Sequence, residues 1–314
     1  MKNSQMVAIM LTLLASFSFS MSGLMVKLIN YEISDSILLF FRYALCLILI
    51  FPILIKKNGN LIYTNKFLLH AFRSFSGVAS MGFFFAAIPK INLINATFLV
   101  NTAPLFVVII LFFIGEKKIN IFDIFIILIG LLGLDLIFQP NFQFKGLGPI
   151  FALLAGFFGS INLILTKKLS LTEKSETIVI YYYFFTTLFS TIWLCIFFAN
   201  SINLGIQNWS LRNIFLVLGI SIFGIIYQSS ISTALKNVSS SVVAPLMYSS
   251  ILFSLIIGWI FLNENILFWS LMGMILIIIS SSLTIIFPNK EKFLKNLKDL
   301  SIYFIKYRSQ KSLK

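Results

Sequence analysis

Charge is scarce in this chain. Of its 314 residues only 11% are Asp, Glu, Lys or Arg, against 59% hydrophobic. A soluble domain carries charges at about a quarter of its positions, so this composition excludes an ordinary water-facing fold. Disorder is excluded too, because it requires low hydrophobicity. Histidine occurs once, as His70, which rules out a paired-histidine metal site. The two cysteines, Cys46 and Cys195, lie inside apolar runs and give neither a disulfide framework nor a metal cluster. Phosphate-binding loops, dinucleotide fingerprints and nucleophile elbows are absent. Gly159-Ser160 has no histidine at matching depth, which counts against an intramembrane serine protease. Acidic residues are few as well, 10 against 24 basic ones, for a net charge of +14. In a soluble protein that excess would point to nucleic acid. Here the Lys and Arg fall between apolar runs and in one C-terminal stretch, as the positive-inside rule expects. The reading is therefore a non-enzyme with no cofactor, no metal and no nucleic-acid partner.

What is present is a series of long apolar runs. A hydrocarbon core takes about 20 apolar residues per helix. Ten segments qualify, at 7–28, 36–55, 67–88, 93–114, 120–138, 147–168, 177–199, 211–235, 239–262 and 267–287. Backbone groups in lipid must pair internally, so these are read as helices. The first run, Val7 to Ile29, exceeds the ~7–15 apolar residues of a signal peptide and is expected to stay as a helix. Placing the N-terminus inside puts Lys2, Lys56, Lys57, Lys66, Arg73, Lys117, Lys118, Lys167, Lys168, Lys174, Lys236 and the tail on the cytoplasmic side. The outer half then receives only Lys27, Arg42, Lys90, Lys145 and Arg212. Both termini are expected in the cytoplasm, in a bacterial-type inner membrane.

The two halves echo each other. Leu13-Leu14-Ala15 to Lys27 matches Leu153-Leu154-Ala155 to Lys167, and Gly77 and Ala87 match Gly224 and Ala234. Gly115-Glu116 and Asn263-Glu264 end the fourth and ninth segments. Each half has an odd number of helices, so the second is read as an inverted copy of the first, which is a transporter pattern. The expected architecture is all-α, with repeats over 1–138 and 139–288. Residues 289–314 form a basic tail, in which Phe293, Leu297, Leu300, Phe304 and Tyr307 share one face of an interfacial amphipathic helix.

Ionisable residues within such runs are expensive, at roughly 2.5–3.5 kcal/mol each, and so become site candidates. Arg42 is read as an anion contact or gate partner, with snorkelling to the outer surface as the alternative. Arg73 and His70 are read as snorkelling inward, or Arg73 as a gate. Glu116 and Glu264 oppose their own helix dipoles and call for a cation: Arg73 or Lys167 for the first, Arg42 or Lys27 for the second. Asp135 is read as reaching the interface or relaying protons. The mid-depth polar residues Ser16, Ser20, Asn101, Thr102, Asn162, Tyr227, Gln228 and Tyr248 are candidates for a solute cavity, or else glue between helices. Pro104 and Pro245 free carbonyls inside their helices. Tyr181 to Phe185 form an aromatic cluster, either an interface belt or a stacking site.

Together these segments resemble the EamA type of the drug/metabolite transporter superfamily. The resemblance rests on Phe40-Phe41-Arg42-Tyr43, His70-Ala71-Phe72-Arg73 with Gly77, Asn95-Ala96-Thr97 through Pro104 to Gly115-Glu116, and Val243-Ala244-Pro245 through Leu262-Asn263-Glu264. It implies ten helices, two inverted repeats and a central cavity lined by helices 1–4 and 6–9. A glycine expected early in the fifth helix is missing near Phe125. The His70-x-x-Arg73 opening and Ala244-Pro245-Leu246-Met247-Tyr248 are similar to the S-adenosylmethionine-carrier branch. The function implied is a secondary transporter of small polar metabolites (amino acids, nucleoside-like compounds or S-adenosylmethionine) working by alternating access. A non-transporting assembly or lipid-handling role is the alternative. Membrane lipids, a small-molecule substrate and a second copy of the chain are the candidate partners.

Overall fold

The computed structural model describes residues 2–29, 33, 35–56, 64–116, 121–138, 146–201, 209–262 and 268–286. Glu264 and the tail lie outside these residues. Among the described residues there are eleven helices and no strand: α1 Lys2–Ile29, α2 Asp35–Lys56, α3 Phe67–Val100, α4 Ala103–Phe113, α5 Ile121–Phe138, α6 Gly148–Ser170, α7 Ser175–Ser201, α8 Leu211–Asn237, α9 Ser240–Leu246, α10 Ser249–Leu262 and α11 Phe268–Ile286. Among the described residues five stretches are long and apolar enough to cross a membrane: Ser4–Val26, Gly148–Ser170, Ser175–Cys195, Leu211–Asn237 and Ser240–Phe261.

The side chains are distributed as a lipid solvent requires. Large apolar groups such as Phe113, Ile121, Leu211 and Phe215 stand exposed, while Thr12, Ser16, Ser20, Ser22, Arg73, Asn213 and Gln228 are buried. Many hydroxyls turn back onto their own helix: Thr12 to the Ala8 carbonyl at 2.8 Å, Thr166 to Asn162 at 2.6 Å, Ser221 to Val217 at 2.9 Å. That satisfies the hydroxyl where no water is available.

Two expected helices differ in their bounds. The run expected at 93–114 is shared between α3 and α4, with the break at Asn101-Thr102. Thr102 Oγ1 donates to the Leu99 carbonyl at 2.7 Å and Pro104 sits in the first turn of α4, where its missing N–H costs nothing. The run expected at 239–262 divides into α9 and α10 at Met247-Tyr248, just after Pro245. At the far end of α4, Gly115 takes φ 73° and the Glu116 N–H donates to the Leu111 carbonyl at 3.0 Å. This is a Schellman stop, which needs the left-handed glycine.

Within α3 the chain changes direction. Arg73 meets Thr166 and Ser80 meets Ala155, so this part runs antiparallel to α6; a Cβ on Gly148 would touch Ile91. Then Leu99 and Val100 lie at Gly156, and the Ala103 carbonyl accepts from Ser160. The partners now advance along α6 in the same sense as the chain, so the backbone reverses between Ile91 and Leu99.

The packing is strongly paired: α3 lies along α6 and α1 along α8, α2 faces α7, and α5 faces α11. At α5–α11 the backbones nearly touch, since a Cβ on Gly133 would sit 2.7 Å from the Gly273 carbonyl oxygen. Small residues permit that approach in a membrane. Hydrogen bonds at matched positions of the two halves repeat. Ser22 donates to the Ile220 carbonyl (3.3 Å) and Asn162 to the Arg73 carbonyl (2.9 Å). Ser20 donates to the Ser250 carbonyl (2.6 Å) and Ser160 to the Ala103 carbonyl (2.9 Å).

Candidate functional site

Three tyrosines, Tyr43 of α2 with Tyr182 and Tyr183 of α7, meet where α2, α3, α7 and α8 converge, and Tyr227 of α8 stands nearby. Tyr43 of α2 contacts Tyr182 and Tyr183 of α7 with ring centroids 6.2 and 6.4 Å apart, and Tyr227 of α8 leans against Phe19 of α1 at 5.8 Å. Tyr43, Tyr182 and Tyr183 are buried; Tyr227 is half-buried. A Tyr ring offers an apolar face and one hydroxyl, so such a group forms a surface that is both flat and hydrogen-bonding. Arg42 and Arg73 flank it. Arg42 lies against the ring of Tyr43 and Arg73 against that of Tyr182, with Tyr227 in the neighbourhood of both arginines.

The two guanidiniums are treated very differently. Arg73 is fully buried and bound on three sides. Its Nε donates to Thr166 Oγ1 (2.6 Å), Nη1 to the Ile178 carbonyl (2.9 Å) and Nη2 to Gln228 Oε1 (2.8 Å). It also lies over the Tyr182 ring at 4.4 Å. One side chain thus ties α3 to α6, α7 and α8. Arg42 is only half-buried, lies 5.9 Å from the centroid of Tyr43, and makes no side-chain hydrogen bond among the described residues. Gly224 leaves room beside it, with Arg42 Nε 3.8 Å from where a Cβ would stand.

The other expected site residues scatter. Asn162 and Gln228 join the Arg73 cluster. Lys167 Nζ donates to the Leu235 carbonyl at 2.6 Å, alongside Ser170 Oγ at 3.1 Å. Ser20 spends its hydroxyl on the carbonyls of Ser16 and Ser250, whereas Ser16 Oγ is buried without a partner among the described residues. Asn101 and Thr102 lie half-buried at the α3–α4 break. Tyr248 is set apart from the box, packed with Leu134, Ile251 and Ile277 between α5 and α11, its hydroxyl buried and unpartnered among the described residues. Glu116 is exposed, and the bonds of Arg73 and Lys167 go to neutral groups instead of to it. Arg73 does not snorkel: Thr166, Ile178 and Gln228 hold it inside. His70 is buried too, stacked on Tyr181 at 4.6 Å with both ring nitrogens unpartnered among the described residues. Asp135 is exposed. Of Lys27 only the backbone, in α1, is described.

Reasoning along the sequence missed Tyr43, Tyr182, Tyr183 and Thr166. Tyr182 and Tyr183 were visible only as members of an aromatic run. The useful signal is the matching of Gly77 with Gly224: each faces the box, Gly77 towards Tyr182 and Gly224 towards Arg42 and Tyr183.

An apolar exterior around helices joined by buried hydroxyl, amide and guanidinium contacts defines a multi-pass membrane protein. Residues 6–139 and 146–286 match the EamA-like transporter family, and the chain belongs to that family of membrane transporters. Similar curated proteins include the pseudopaline exporter CntI of Pseudomonas aeruginosa, 26% identical over 82% of this chain and 88% of that protein. An uncharacterized transporter of Helicobacter pylori is 26% identical over 95% of this chain and 100% of its own. Mouse solute carrier family 35 member G1 is 25% identical over 86% of this chain and 76% of its own. A solved crystal structure overlays with a TM-score of 0.71 at 13% identity, covering 90% of this chain and 98% of the other, which speaks to the fold alone.

Proposed function

We propose that this transporter is a secondary carrier of small polar metabolites, working by alternating access, with its solute held at the tyrosine box beside Arg42. The observation that carries the proposal is Arg42 itself: a guanidinium inside the helix bundle with no hydrogen bond among the described residues. An intramembrane charge left without a partner is a functional position by default, because a structural one would be neutralised or bonded. Amino acids, nucleoside-like compounds and S-adenosylmethionine are the substrate classes to test first. One relative is by name an exporter, and outward transport is the direction adopted.

The ten-span inverted-repeat reading is supported by the reversal between Ile91 and Leu99, by treating α9 and α10 as one interrupted span, and by the matched hydrogen bonds of the two halves. The Lys and Arg distribution supports cytoplasmic termini in an inner membrane. On that reading the Arg73 cluster and the Lys167–Leu235 contact form the inner gate between halves. The test is transport by purified protein in liposomes. Saturable movement of a labelled solute is expected, abolished in Arg42→Ala with the protein still folded and poorly restored in Arg42→Lys, whose ammonium lacks the planar fork. Full transport by Arg42→Ala would remove Arg42 from the site.

A further inference from the structure

Resting on that reading, we infer that the solute bound at the tyrosine box carries a carboxylate, which pairs with the free guanidinium of Arg42. The first ground is charge. The two guanidiniums lie against neighbouring tyrosines, Arg42 at Tyr43 and Arg73 at Tyr182, and neither forms an ion pair among the described residues. The described carboxylates are elsewhere: Glu116 and Asp135 are exposed, Asp123 lies on α5, Glu173 accepts from Thr64 at 2.7 Å, and Glu176 is in the first turn of α7. Two positive charges without a counter-charge among the described residues attract an anion and repel a cation.

The second ground is saturation. Arg73 already directs Nε, Nη1 and Nη2 at protein oxygens, so it contributes field but few free donors. Arg42 makes no side-chain hydrogen bond among the described residues, and its fork matches a planar carboxylate in two parallel hydrogen bonds. The third is the state of the aromatic faces. A cationic group would seek a Tyr face, yet the Tyr182 ring is covered by Arg73 at 4.4 Å and the Tyr43 ring is approached by Arg42 at 5.9 Å. What remains for the solute body is the half-buried Tyr227 with Phe19 beside it. The solute is therefore an organic acid with an apolar or flat portion, and any amine it bears points away from the box.

The test uses the full-length protein and probes matched within each skeleton: 3-phenylpropionate, its amide and its amine, together with succinate against succinamide. Binding is read as a saturable thermal shift and by calorimetry. At least one acid is expected to bind tenfold or more tightly than its amide, with no binding of 3-phenylpropylamine. Arg42→Gln, accepted as folded by its own cooperative melting, is expected to lose the preference, and Arg42→Lys to keep part of it. Absence of any acid-over-amide preference, preference for the amine, an undiminished preference in Arg42→Gln, or equal protection by chloride alone would each overturn the inference. Liposome flux separates this from the carrier reading. Saturable flux of S-adenosylmethionine untouched by Arg42→Gln leaves a carrier without the proposed anion site. Arg42-dependent acid binding with no saturable flux of any bound acid leaves the site without the carrier.

Discussion

Arg73 and Ile220 occupy matched positions on α3 and α8, each four residues before its glycine, Gly77 or Gly224, and their backbones are held alike. The Asn162 amide donates to the carbonyl of Arg73 as the Ser22 hydroxyl donates to that of Ile220. Their side chains do opposite things. Arg73 gathers Thr166, Ile178 and Gln228 into a polar knot. Ile220 packs with Ile29, Ile33, Ile37, Leu38 and Val217 in a wholly apolar cluster. The difference shows how one backbone scheme serves two kinds of closure. An apolar contact resists the entry of water, since each Å² exposed costs about 25 cal/mol. A guanidinium knot is stable while fully bonded and is readily solvated once water enters.

The largest expected effect breaks the polar knot. Arg73→Met leaves the Thr166, Ile178 and Gln228 oxygens without their donor, at about 1–3 kcal/mol for each one left buried and unsatisfied, so a loss of several kcal/mol is expected. Thermal unfolding of the purified variant should fall far below the wild type. Adding Gln228→Met should cost less than the two changes summed, because the orphaned acceptor goes with it; strict additivity would show that the knot is not a unit.

Next comes the apolar end. Ile220→Ala removes a fully buried side chain and is expected to cost about 2–4 kcal/mol through the cavity it leaves. Because no polar group is orphaned, its cost should be independent of Arg73→Met. Strong coupling between the two would mean that the ends are not separate closures.

The matched glycines sharpen the contrast with opposite signs. A Cβ at position 77 would lie 2.8 Å from Asn162 Nδ2 and from the Tyr182 hydroxyl, so Gly77→Ala is expected to destabilise by about 1–3 kcal/mol. At position 224 the nearest atoms are 3.6 Å away, ordinary contact, and Gly224→Ala should gain up to about 1 kcal/mol from helix propensity. Equal melting shifts of the same sign would contradict the packing described around the tyrosine box.

The smallest effects concern the bonds that the two ends share. Ser22→Ala and Asn162→Ala each delete one hydrogen bond to a helix carbonyl, for about 1 kcal/mol apiece. Similar melting shifts support equivalent roles; a much larger loss for Asn162 would place it in the Arg73 knot instead of in the backbone scheme.

Arg42 could be found along the chain because a charge in an apolar run is conspicuous wherever it points. Arg73 was equally conspicuous, yet its surroundings were not legible: its partners Thr166, Ile178 and Gln228 are 93, 105 and 155 residues away. Tyr248 shows the complementary difficulty. It stands at mid-depth like Tyr227, but the break between α9 and α10 turns it towards α5 and α11, while Tyr227 lies within α8 against Phe19.

The sequence by itself determined that the chain is helical and membrane-embedded, and where most apolar runs begin and end. Run length and backbone satisfaction in lipid are local properties, written in about 20 consecutive residues at a time. Only the tertiary structure decided which face of each helix is inside, that Arg73 is tied down while Arg42 has no hydrogen bond among the described residues, and that Tyr43, Tyr182 and Tyr183 meet beside them. The physical reason is that lipid is as apolar as the protein interior, so hydrophobicity does not mark the inward face, and orientation is settled by packing and hydrogen bonds between distant segments.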